Sequence, residues 1–135
     1  FVAGHKDSLI QIVLNLVKNS CEAVPEERGE VTLSTRYRLG TRMTPGGSGE
    51  RVELPLHLMI TDNGPGISED LIDRVFFPMI SGRNEGSGLG LSISQNIVGQ
   101  HGGTLQVASR PGNTEFSVYL PFSGSNQPRE AKELI

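Results

Sequence analysis

Cysteine is nearly absent: Cys21 is the only one in 135 residues. A single thiol excludes an internal disulfide and fits a reducing compartment, hence a cytoplasmic setting. No apolar run approaches the ~20 residues that span a bilayer, so membrane contact by this domain is not expected. No signal peptide is legible, and Phe1-Val2-Ala3 reads as a cut inside a strand, which makes the chain a candidate fragment. Basic residues form no run or face, and the formal charge of −3 leaves no electrostatic footprint for nucleic acid. There is no G-K-[ST], so this is not a P-loop, and the catalytic-loop and metal-binding signatures of protein kinases are missing as well.

What is present is one domain's worth of chain, long enough to bury a core. Hydrophobic residues make up 36%, with seventeen glycines and eight prolines, the composition of a globular domain with several functional loops. Ser8-Leu9-Ile10-Gln11 has capping-box spacing, and Leu9, Ile12, Val13, Leu16 and Val17 follow a helical period to about Ala23, before Pro25. On that helix Gln11, Asn15, Lys18, Asn19 and Glu22 form one polar stripe, and the remaining arc is apolar. Cys21 sits in it as an expected buried thiol.

Val31, Leu33, Thr35 and Tyr37 alternate with polar residues as a half-buried strand does. A Gly/Pro-rich loop is expected from about Leu39 to Glu53, then a strand from Leu54 to Thr61 that delivers Asp62 to the sheet edge. Ser68 is placed to cap a short helix closed by Phe76-Phe77-Pro78. Residues 79–88 carry three glycines and no periodicity, which predicts a mobile loop. Leu89, Ile93, Ile97 and Val98 mark another helix, stopped at Gly102-Gly103. Strands at Thr104–Ser109 and Thr114–Leu120 follow, joined by Arg110-Pro111-Gly112-Asn113. Hairpin-joined strands with helices gathered on one face predict an α+β fold: a two-layer α/β sandwich, its mixed, mainly antiparallel sheet covered on one face by about three helices. The domain should occupy residues 1–122, with a polar tail at 123–135.

The chemistry lies in two glycine clusters, Asp62-Asn63-Gly64-Pro65-Gly66-Ile67 and Gly86-Ser87-Gly88-Leu89-Gly90-Leu91. A carboxylate accepts a hydrogen bond from an exocyclic amine, and glycines let backbone N–H groups approach phosphate oxygens where a Cβ would collide. Together they point to a purine nucleotide held at both ends. The second cluster, G-x-G-x-G with no early strand before it, does not fit a Rossmann fingerprint.

These residues resemble the catalytic ATP-binding domain of two-component sensor histidine kinases, a branch of the GHKL ATPase superfamily with the Bergerat-type sandwich and an ATP lid. Asn15-Leu16-Val17-Lys18-Asn19-Ser20 looks like the N box, Asp62 to Ile67 the first glycine box, Phe76-Phe77-Pro78-Met79 the F box, and Gly86 to Leu91 the second glycine box. His101-Gly102-Gly103 and Gly112-Asn113-Thr114-Glu115-Phe116 match the closing pattern, so the similarity covers roughly residues 5–122. Within the family the chain is most similar to the nitrogen-regulation kinases, through Phe77 to Arg83, Gly112 to Pro121 and a long hairpin insertion around residues 36–53.

The resemblance implies ATP and Mg²⁺ as cofactors. Asn19 would give an amide oxygen to Mg²⁺, an ion that prefers oxygen ligands and phosphates to a protein cage; the alternative is a solvated helix face. Asp62 would accept from the adenine 6-amino group, or else only shape a turn. Gly64 and Gly66 would keep the pocket floor thin beside Ile67. Gly86, Ser87, Gly88, Leu89, Gly90 and Leu91 would wrap the triphosphate, the helix N-terminus aiming N–H groups at it. Arg83 either pairs with the γ-phosphate or is a solvated lid charge. Lys18 either approaches a phosphate or is simply exposed, and Thr114 would support Asp62 or the adenine through water.

Asn15 occupies the place where ATP-hydrolysing relatives carry a Glu acting as general base. An amide cannot take that proton, so ATP should be held with little hydrolysis. His5, His57 and His101 lack the neighbours of a phospho-accepting H box. The acceptor His is therefore expected on a separate dimerisation domain of a homodimeric protein, which would relay the phosphoryl group to an Asp of a response regulator. A P-II-type signal protein is a further expected partner, docking near the lid and residues 36–53. Two other readings stay open: a nucleotide-gated binding module, and an anti-sigma-factor serine kinase of the same fold.

Overall fold

The computed structural model describes residues 6–44, 50–76 and 90–121. Helix α1 (Lys6–Ala23) is followed by strands β1 (Val31–Tyr37), β2 (Arg42–Met43), β3 (Val52–Glu53) and β4 (Leu56–Asp62). Then come the short helix α2 (Glu69–Ile72), helix α3 (Gly90–Gln100) and strands β5 (Thr104–Arg110) and β6 (Asn113–Leu120). The main sheet runs β1-β4-β6-β5, and β2 pairs β3 as a separate two-stranded ribbon. Every pairing among the described residues is antiparallel. The expected α+β architecture is therefore present, with the ribbon replacing part of the loop predicted over 39–53.

Register explains the core. Ile60, Phe116 and Val107 stand in one row across β4, β6 and β5, and Leu58, Val118 and Leu105 in the next. Directly opposed residues share a face, so both rows meet the same helix layer. That layer supplies Ile12 and Leu16 from α1 and Ile97 and Val98 from α3, all buried. A fully buried Leu such as Leu16 contributes about 1.5–3 kcal/mol.

The chain departs from the simplest reading of its periodicity in four places. Helix α1 begins at Lys6, so Ser8 is inside it and cannot cap; Asp7 supplies the first-turn negative charge that the helix dipole favours. Ser68 does stand at the N-cap of α2 but makes no side-chain cap bond; its carbonyl accepts from the Leu71 and Ile72 N–H groups instead. Cys21 is exposed rather than buried. The buried stripe runs Ile12, Leu16, Ser20, and Cys21 lies a further ~100° around the helix, pointing away from the sheet. Finally, Leu14 is 62% exposed, Leu33 51% and Tyr37 53%. β1 is an edge strand, and α1 packs mainly on α3 and β4, so Val31 reaches the core while Leu33 and Tyr37 fall beyond the helix layer.

Helix α3 ends where expected. The Gly102 N–H donates to the Gly99 carbonyl and the Gly103 N–H to the Val98 carbonyl, the paired bonds of a Schellman stop. His101 is consumed in this cap, its Nδ1 donating to the Ile97 carbonyl at 2.7 Å.

Candidate nucleotide-binding site

The site grows from the last row of the sheet. Asp62 ends β4, opposite Thr114 of β6, which is in turn opposite Ser109 of β5. All three point to the helix-covered face, one row beyond the Ile60–Phe116 layer. Asp62 is only 3% exposed, and Thr114 is buried as well. A carboxylate this enclosed needs donors. One is local: the Gly64 N–H donates to Asp62 Oδ1 at 2.9 Å. A carboxylate offers several acceptor positions, and no second donor to Asp62 is found among the described residues.

The glycine turn after Asp62 is tied down on every side. Asn63 Oδ1 accepts from the Glu30 N–H and its Nδ2 donates to the Arg28 carbonyl, each at 2.8 Å. The Gly64 carbonyl accepts from the Gly112 N–H at 2.9 Å. The Ile67 N–H donates to Ser109 Oγ at 2.8 Å. A Cβ at Gly64 would lie 2.8 Å from the Ala23 carbonyl oxygen and 2.9 Å from Asp62 Oδ1. At Gly66, with φ +89°, it would lie 2.8 Å from the Arg110 carbonyl oxygen. Both positions therefore require glycine for reasons of space, and Gly66 for its backbone angle too.

The predicted phosphate end is carried by α1. Asn15 and Asn19 are one turn apart and half-buried. Asn15 Nδ2 donates to Ser94 Oγ at 3.3 Å, which joins α1 to α3. Lys18 is 78% exposed, with its Nζ 3.9 Å from Glu22. Leu91 and Ile67 pack against the core, as does Phe76 at the start of the F box. Gly90 opens α3, where a Cβ would meet nothing within 4 Å, so packing against the described residues does not demand glycine there. Arg83, Gly86, Ser87, Gly88, Leu89 and Phe77 to Met79 lie outside the described residues.

The donor set fits the expected ligands. The buried acceptor and the cradle that a Cβ would fill suit an adenine edge. No group of three or more His, Cys, Asp or Glu that could hold a metal is found among the described residues. A hard cation here would rest on an amide oxygen such as that of Asn19, together with phosphates and water.

Two side chains were missed by sequence reasoning: Asn63, which latches the 28–30 segment, and Ser109, which bridges the turn to Thr114. Both roles depend on strand pairing, and only the cross-strand register could have revealed them. A separate cleft of about 340 Å³ lies among Arg42, Met43, Thr44, Arg51, Thr104 and Gln106, at the end of the sheet away from Asp62. It plays no part in this site.

Comparison with known proteins agrees with this geometry. Residues 4–124 match the model of the histidine kinase-, DNA gyrase B-, and HSP90-like ATPases. The chain is 48% identical over 121 residues to the sensory histidine kinase/phosphatase NtrB of Azospirillum brasilense, covering 90% of this chain and 30% of that protein. It spans about a third of the length of the curated relatives it matches. Among solved structures, the mycobacterial sensor histidine kinase MprB superposes with a TM-score of 0.70 at 30% identity, over 89% of this chain and 76% of that one. Full-length ShkA in complex with AMPPNP superposes at 0.67 with 28% identity, over 87% of this chain and 22% of its own. Among the described residues, no helix is long and apolar enough to cross a membrane.

Proposed function

Since the chain belongs to the family of histidine kinase-, DNA gyrase B-, and HSP90-like ATPases, and is NtrB-like within it, we propose that it is the part of a cytoplasmic sensor kinase that binds Mg²⁺·ATP and presents the γ-phosphoryl group to a His. That His stands on a separate dimerisation domain. Its imidazole nitrogen bonds to the γ-phosphorus as the bond to the β–γ bridging oxygen breaks, with ADP leaving and the ring N–H proton lost. An Asp of a response regulator then receives the phosphoryl group, in the control of nitrogen genes. The observation that supports this reading best is the buried Asp62 carboxylate held beside Thr114 over a glycine turn that tolerates no Cβ.

Asp62 accepts the adenine 6-amino donor, and guanine, with a carbonyl there, sets acceptor against acceptor. Asn19 holds Mg²⁺, which when bound neutralises charge on the phosphate oxygens. Asn15, tied to Ser94, has no carboxylate with which to activate water. Transfer thus rests on alignment and charge, with Arg83 and the second glycine box supplying the lid contacts. The 36–53 hairpin is the docking place for a P-II-type protein; its Arg42 and Arg51 lie within ion-pair distance of no carboxylate among the described residues.

Binding of a fluorescent ATP analogue with and without Mg²⁺, to wild type, Asn19→Ala and Asp62→Asn, tests the site. The first change should weaken metal coupling and the second base recognition; unchanged binding in both defeats the proposal. Incubation with a purified acceptor hairpin and labelled ATP tests the chemistry. Acid-labile label marks phosphohistidine, acid-stable label a serine kinase, and no label a binding module.

A further inference from the structure

We propose that Asn63 is a positioning residue that clamps the end of helix α1 to the glycine turn, and thereby holds Asn19 within reach of a Mg²⁺ on the phosphates. The inference rests on the nucleotide-binding reading above. It follows from the path of the chain as it leaves α1. Asn63 grips that exit segment through three bonds: Oδ1 accepts from the Glu30 N–H and Nδ2 donates to the Arg28 carbonyl, each at 2.8 Å, while its own N–H donates to the Glu30 carbonyl at 3.2 Å.

Gly29, between the two gripped residues, is pressed onto the end of the helix. A Cβ there would lie 2.5 Å from the Pro25 carbonyl oxygen and 2.6 Å from Val24 Cγ2. Val24 is still bonded to α1, its N–H donating to the Ser20 carbonyl at 3.2 Å. On the other side of the joint stands Gly64, where a Cβ would lie 2.8 Å from the Ala23 carbonyl oxygen. Glycine turn, Asn63, residues 28–30 and the last turn of α1 thus close into one packed ring, and packed groups pass on a displacement.

Asn19 lies one turn before Ala23 on the same helix, so it moves with the joint. Asp62 does not, because β4 holds it in the sheet between β1 and β6. The clamp therefore sets the phosphate end relative to the base end without touching either. It also needs an amide: Nδ2 is a donor and Oδ1 an acceptor, whereas a carboxylate would set a second oxygen against the Arg28 carbonyl.

Calorimetric dissociation constants for ATP, measured with Mg²⁺ and with EDTA, give a metal-coupling ratio for each variant in which the contribution of the base cancels. Asn63→Ala and Asn63→Asp should shrink the wild-type ratio by about fivefold or more, while the constant in EDTA moves within about twofold. Gly29→Ala pushes on the same joint from its other side and should act alike. In an Asn19→Ala background, Asn63→Ala should change the ratio no further, since its effect passes through that amide. Without nucleotide, hydrogen exchange at the Val24 amide should quicken in Asn63→Ala, as the last turn of α1 loses its anchor. Urea denaturation establishes that each variant is folded under the assay conditions. Equal weakening with and without Mg²⁺, a full further loss in the double variant, or a wild type indifferent to Mg²⁺ overturns the role of Asn63 and leaves ATP binding standing. A wild type that binds no ATP overturns the nucleotide reading itself.

Discussion

Adding one methyl group at Gly64 should separate steric support of the adenine pocket from mere turn strain. In Gly64→Ala the new Cβ arrives 2.8 Å from the Ala23 carbonyl oxygen, 2.9 Å from Asp62 Oδ1 and 3.2 Å from the Ala23 carbonyl carbon. Two of these atoms are backbone at the end of α1. Gly64 cannot recoil easily, because its N–H is held by Asp62 and its carbonyl by the Gly112 N–H. Overpacking of this kind costs about 1–3 kcal/mol of stability. Relief by moving Asp62 would misalign a charge-assisted hydrogen bond worth about 1.5–3 kcal/mol, or roughly ten- to a hundredfold in ATP affinity.

Gly112→Ala is the matched control. Gly112 has φ +86° but nothing within 4 Å of a new Cβ, so it incurs only left-handed strain, about 1–2 kcal/mol. Urea denaturation should then show both variants destabilised by similar amounts, while calorimetry with Mg²⁺·ATP shows only Gly64→Ala losing affinity. Equal affinity losses, or a Gly64→Ala protein that binds like wild type, would refute the claim that this glycine holds Asp62 in place.

Asn63→Ala removes two 2.8 Å side-chain bonds that fasten residues 28–30 to the glycine turn; a loss of about 1–3 kcal/mol is expected in urea melts. Ser20 is fully buried, and its hydroxyl has no partner among the described residues. Ser20→Ala should therefore leave stability unchanged or raise it by up to about 1 kcal/mol, since a buried hydroxyl without a bond costs more than it gives and Ala is the better helix former. His57 stacks on Tyr119 at a centroid distance of 4.3 Å. Burial holds its pKa below the ordinary value, aided by Arg36 and Arg38 and opposed by Glu115. The unfolded chain thus binds more protons between that lowered pKa and about 6.5. Stability should fall as pH drops through this window, and His57→Phe should flatten that part of the urea-midpoint profile.

Much of this fold could be read from the chain because its signals are local. The helical period of Leu9 to Val17, the alternation of Val31 to Tyr37 and the glycine stop after His101 each act within a few residues, and each appears close to its predicted bounds. The misses arise where a distant element decides. Cys21 and Leu14 look buried on a helical wheel, but α1 turns its other side to α3 and β4 and leaves that arc uncovered. The β2–β3 ribbon hides in a Gly/Pro-rich stretch because two-residue strands carry no periodicity. In the site, Asp62 and the glycines announce themselves by spacing. Ser109 and Asn63 do not, since their partners are 42 and 33 residues away.

That division has a mechanical consequence for how the two ends of a nucleotide are brought into line. The adenine end is assembled from β4, β5, β6 and the segment before β1; β5, the Gly112 turn before β6 and the 28–30 segment are each tied to the glycine turn by at least one hydrogen bond. The proposed phosphate end sits on α1, which touches the same turn where Ala23 abuts Gly64. Asn15, Asn19 and Ala23 are successive turns of one helix, so about 12 Å of rigid backbone separates the first from the last. Helix α1 therefore acts as a spacer whose far end is packed against the adenine floor and whose middle presents the amides. The adenine floor stays with the sheet, so a Cβ at Gly64, which would wedge Ala23 away from the turn, shifts the amides relative to Asp62. For this reason the Gly64 position should be more sensitive than any single core residue of α1 to substitutions that spare the fold.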